Sequence, residues 1–119
     1  MIHLKNASVN LSGTHRMLWF AIFTAAEIWE RHGVDLVLTS VKDGDHPGGA
    51  RPSFHPLGLA FDARTHDLEA PMIACEELRA ALGPDFDVMF EGEGTGNAHV
   101  HVQHDPPVPR MSGRALRGP

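Results

Sequence analysis

Apolar residues along this chain recur at two spacings, and the switches between them mark out its elements. Leu18, Ile22, Ala25, Ala26 and Trp29 fall three or four apart, with Glu27, Glu30 and Arg31 facing outward. This is the buried stripe of a helix. Ser12 or Thr14 can cap its start, and Gly33 in the C′ position ends it near His32. Residues 35–41 read as a strand with Leu36, Leu38 and Ser40 on one face. Residues 42–52 (KDGDHPGGARP) are a Gly/Pro-rich loop, too polar for a core. A strand over 57–63 puts Leu57, Leu59 and Phe61 on a core face, and Gly58, Ala60 and Asp62 opposite. Helical spacing returns over 69–82, through Met72, Ile73, Cys75, Leu78 and Leu82, and stops at Gly83-Pro84. Residues 86–91 and 98–103 are two more strands, an antiparallel pair joined by a Gly-rich link (GEGTGN). Residues 3–9 are a short strand or an extended arm. The order of elements is α+β.

Composition narrows the picture. A chain of 119 residues supports one domain with a modest core, taken here as 1–104. The Pro/Arg/Gly-rich tail, 105–119, is expected to be extended or partly disordered. The net charge of −5 argues against nucleic acid as a partner, because binding phosphates needs a basic face. A single cysteine, Cys75, forms no internal disulfide and belongs to the core pattern. The apolar run over 17–26 is roughly half the length of a membrane span, and residues 1–13 lack the apolar stretch of a signal peptide. The expectation is a protein that is cytoplasmic as synthesised and does not insert into a membrane.

The chemistry concentrates in two short stretches, 53–62 (SFHPLGLAFD) and 99–101 (HVH). Gly58 and Ala60 leave a shallow floor leading to the Asp62 carboxylate, and His55 at the strand entrance can reach over it. His99 and His101 share one face of their strand, roughly 6–7 Å apart. That spacing permits two imidazoles on one metal, or one ligand beside one acid/base group. Imidazoles and a carboxylate together make the mixed donor set of a catalytic zinc with an open position.

Ser53, then His55-x-x-Gly58-x-Ala60-x-Asp62, then His99-x-His101 on a late strand, resembles the zinc D-Ala-D-Ala carboxypeptidases and their hedgehog-domain relatives, in their small phage and bacterial forms. The likeness spans roughly residues 36–104, including Thr39-Ser40, Asp43-Gly44 and His46. The resemblance implies helices packed on one face of a small antiparallel sheet, with zinc on the other. It implies His55, Asp62 and His101 as zinc ligands, and a water attacking a peptide carbonyl. Family members carry a carboxylate three to six residues before the last zinc histidine; residues 95–98 (TGNA) hold none. The strand over 86–91 resembles the one that delivers the glutamate in hedgehog-like relatives, with a longer Gly-rich insertion before His99, and this likeness implies Glu91 as general base, with Glu93 as runner-up. His99 falls beside the metal as a hydrogen-bond donor or proton relay. Stem peptides carry carboxylates, which calls for an arginine clamp. Arg51 is the first candidate and Arg64 the second, with Ser53 on the substrate backbone.

The function implied is zinc-dependent hydrolysis of an amide bond in the peptide part of bacterial peptidoglycan, as a D,D-carboxypeptidase or an L-alanyl-D-glutamate endopeptidase. The expected setting is a phage lysis enzyme, which would reach the cell wall during lysis, or a cytoplasmic recycling enzyme. The alternative is an inactive zinc-binding module of the same fold, used for binding or virion assembly.

Overall fold

The computed structural model describes residues 1–11, 13–42 and 59–107. It is a small α+β domain of two helices and one five-stranded sheet. The elements run β1 (Ile2–Leu4), α1 (Arg16–Arg31), β2 (Leu36–Lys42), β3 (Leu59–Arg64), α2 (Pro71–Leu82), β4 (Phe86–Glu91) and β5 (His99–His104). In space the strands lie in the order β1-β2-β3-β5-β4.

Strands β2, β3, β5 and β4 pair antiparallel in that order, as expected, but the sheet as a whole is mixed. Strand β1 lies parallel to β2, pairing Ile2 with Leu36 and Leu4 with Leu38. The reason is the connection. Helix α1 carries the chain from one end of the sheet back to the other, and such a crossover is what parallel neighbours require.

Helix α1 starts one residue later than its apparent caps suggest. His15 takes the N-cap position, and its Nδ1 accepts from the Met17 backbone N–H at 3.0 Å. Thr14 instead donates its hydroxyl to the Leu11 carbonyl. Ser12 lies outside the described residues. The far end closes as the Gly33 signal predicts. Gly33 has φ +85°, its N–H reaches the Glu30 carbonyl, and the Val34 N–H reaches that of Trp29. That pair of bonds is the Schellman motif.

Both helices and the inward side chains of β2 to β5 share one apolar core. Leu18, Ile22, Ala25 and Trp29 of α1 and Ala74, Cys75 and Leu78 of α2 meet Leu36, Leu38, Phe61, Ala63, Val88, Val100 and Val102 of the sheet. The Cys75 thiol is pushed up to about 11 by burial, as befits a core residue. Arg79 ties α2 to the sheet edge by donating to the Val88 carbonyl at 2.6 Å. His104, at the end of β5, is only 4% exposed, packed between the rings of Phe86 and His15. No helix among the described residues is long and apolar enough to cross a membrane.

Candidate metal centre on the open face of the sheet

Packing Phe61, Ala63, Val88, Val100 and Val102 into the core turns the residues between them toward the opposite face. Pairing then arranges those residues in rungs. Asp62 stands directly across from His101, with Met89 on the far side of His101. On the next rung Arg64 faces His99, and His99 faces Glu91.

The Asp62–His101 rung is the tightest polar contact on this face. Asp62 Oδ1 and His101 Nδ1 are 2.7 Å apart, and both side chains are less than one-fifth exposed. The second oxygen, Oδ2, accepts from the Ser40 hydroxyl at 2.9 Å. Ser40 reaches it because β2 carries an irregularity. Leu38 pairs with Ala63 but Ser40 already pairs with Asp62, so Thr39 is an extra residue. Simple alternation puts Ser40 beside Leu36 and Leu38. The bulge corrects that expectation, turning Ser40 to the polar face to hold a carboxylate, a use to which bulges are suited.

His99 is held from both sides. Its Nδ1 is 2.8 Å from the Asn97 carbonyl oxygen, and its Nε2 is 3.0 Å from Glu91 Oε1. Partial burial alone disfavours the charged ring. The Asn97 carbonyl, the Glu91 carboxylate and the field of Asp62 outweigh it, and His99 titrates above the ordinary imidazole value. With an acceptor at each nitrogen, the ring is set up to donate.

The turn over residues 92–97 fixes that arrangement. Thr95 donates its hydroxyl to the Gly92 carbonyl and accepts from the Asn97 N–H. Gly92 has φ +73°, and a Cβ there would lie 2.9 Å from the Asn97 oxygen. Only glycine fits this point of the turn.

Beside these rungs lies a cavity of about 300 Å³. It is lined by the strand residues Thr39, Ser40, Asp62, Arg64 and His99, together with Lys5, His66 and residues 96–98.

The structure thus brings Asp62 and His101 together and sets His99 and Glu91 on the neighbouring rung. Glu93 sits in the exposed turn. His55, Ser53, Arg51 and His46 lie outside the described residues, and among those described no three His, Cys, Asp or Glu side chains converge on one point. Asp62 and His101 nonetheless fit a zinc site in kind, as a carboxylate and an imidazole, and the hydrogen bond that joins them is what a metal held by both would replace. Ser40, Asn97 and Lys5 escaped the sequence reading. Thr39-Ser40 lies inside the stretch of family likeness, which was a signal for the first; neither of the others carried one. The chain matches no family model, no curated protein and no solved structure.

Proposed function

We propose that this domain is a zinc-dependent peptidase acting on the peptide part of bacterial peptidoglycan, with the fold of the hedgehog and D,D-peptidase group. The observation that carries the proposal is the Asp62–His101 contact at 2.7 Å, flanked one rung away by the His99–Glu91 pair. Two helices on one face of the sheet and a polar cleft on the other support it.

Asp62 and His101 would hold the metal, with His55 as third ligand. A bound zinc supplies Lewis acidity, polarising a carbonyl and easing the ionisation of water. The chain's own groups do the rest. Ser40 keeps one Asp62 oxygen occupied, so that the other points at His101. Glu91, half-exposed at the strand end, takes the proton from the attacking water. His99, oriented by the Asn97 carbonyl, would turn its Nε2–H from Glu91 to the substrate carbonyl oxygen, or pass that proton to the leaving amine.

A second reading is a zinc-holding module without hydrolysis. What favours it is that Glu91 is bonded to His99 and stands on its rung, not on that of Asp62 and His101. Digestion of purified peptidoglycan with and without chelator, followed by mass spectrometry, separates the two. Chelator-sensitive release of D-alanine, or of stem peptides beginning at D-glutamate, is the expected result. No release from zinc-containing protein would favour the module.

A further inference from the structure

We infer that the outer face of α1 is the seam of a homodimer, in which the α1 helices of two copies pack antiparallel about a twofold axis. The inference is independent of the peptidase reading and concerns the helix layer, on the opposite face of the sheet from Asp62 and His101.

Leu18, Ala21, Ile22, Ala25, Ile28 and Trp29 turn one side of α1 to the core. The other side leaves two aromatic rings in water: Phe20 is 47% exposed and Phe23 59%. Neither ring is loose. Phe23 stacks on Trp19 with centroids 5.5 Å apart, and Phe20 leans on the buried ring of Phe86 at 6.1 Å. Neighbouring aromatic rings that are braced from behind and left exposed form a preorganised apolar patch, the mark of an interaction surface.

The charges at either end of the patch point to its partner. At 100° per residue, Arg16, Phe20, Phe23 and Glu27 fall within about 60° of one another, a single stripe along the helix. Arg16 is exposed and forms no ion pair among the described residues. Glu27 has a loose contact with Arg31 at 3.8 Å, well exposed on both sides and so worth little. The two aromatic positions and the two charged ones share one midpoint, between Ala21 and Ile22. A second α1 laid antiparallel about that point sets Phe20 of each copy against Phe23 of the other, and Arg16 of each against Glu27 of the other. The stripe is its own complement, as an isologous interface requires. An unrelated partner gives no reason for that symmetry, and a net charge of −5 disfavours an anionic lipid surface. Pairing through α1 leaves both open faces, with their polar clefts, clear of the seam.

The test is sedimentation velocity on the full chain from about 1 to about 500 µM, since a seam of one helix per copy is at the small end of interfaces and suits a micromolar Kd. A shift from one chain to two across that range is expected. Phe23→Ser, checked for fold by circular dichroism, should weaken the dimer at least about a hundredfold, because each dimer loses two central rings. Arg16→Glu and Glu27→Lys should each weaken it by roughly tenfold, and the double variant should recover most of the loss. Within one chain these two residues are about 16 Å apart along the helix, well beyond the screening length, so the recovery reports a contact between copies. A dimer indifferent to Phe23→Ser, or single charge reversals that the double variant does not repair, would overturn the seam. So would a chain that stays monomeric throughout: flotation with phosphatidylglycerol vesicles would then assign the patch to lipid, and failure to float, to a different protein.

Discussion

The two faces of the sheet are built from the same strands yet answer to different constraints. On the helix side, Phe61, Ala63, Val100 and Val102 are fully buried and interlock with Trp29, Ile22 and Leu78. On the open side, Asp62, His99 and His101 keep partial exposure and are held by hydrogen bonds. The apolar face sets the register, because a slip of one residue would turn every core side chain to water. That register is what aligns Asp62 with His101 and His99 with Glu91. Substitutions on the first face should therefore cost stability, and on the second, chemistry.

The largest effect is expected at Phe61. Replacing it with alanine empties the middle of β3 and should cost about 3–5 kcal/mol in a denaturant melt. Little of a small domain's stability would remain. An undisturbed melt would mean the two faces are not divided as described.

On the open face, Glu91→Gln should leave the melt within about 0.5 kcal/mol of the parent, since the side chain is half-exposed. Peptide hydrolysis should fall by roughly 100- to 10,000-fold with zinc retained. Full hydrolysis by this variant would remove Glu91 as base. Smaller again is Ser40→Ala. It frees one Asp62 oxygen and should weaken zinc binding by roughly 10- to 100-fold, read by competition with a chelating dye.

The smallest effect is a pH term from His104, on the helix side of the sheet at the end of β5. His104 titrates below the ordinary 6.5, because burial disfavours its charge and His15 adds repulsion, against weaker pulls from Asp85 and Asp105. A lowered folded value means stability that is present above the unfolded value and lost as pH falls through the folded one. His104→Phe should therefore flatten the fall in melting temperature between about pH 7 and pH 5. His99, shifted upward, acts in the opposite sense, losing its contribution as pH rises through its folded value. An unchanged slope in the His104 variant would mean that the residue is not buried as a neutral ring.

Sequence alternation gave away most of the apolar face, and with it the side of the sheet on which Asp62 and His101 lie. It missed what pairing alone decides. No local pattern marks Thr39 as an extra residue, because a bulge appears only when β2 meets β3. The parallel seat of β1 depends likewise on a distant partner. His15 as an N-cap runs against residue preference, and its stacking on His104 helps explain why it is seated there. The Glu91–His99 pair was partly foreseeable, each residue falling at the same end of one of two paired strands.

The most direct test of a metal centre on the open face is zinc content, measured by atomic spectroscopy on untagged protein dialysed after purification. About one zinc per chain is expected, lost in Asp62→Ala and in His101→Ala while circular dichroism stays that of the folded parent. A parent chain without zinc, or variants that keep it, would contradict the account.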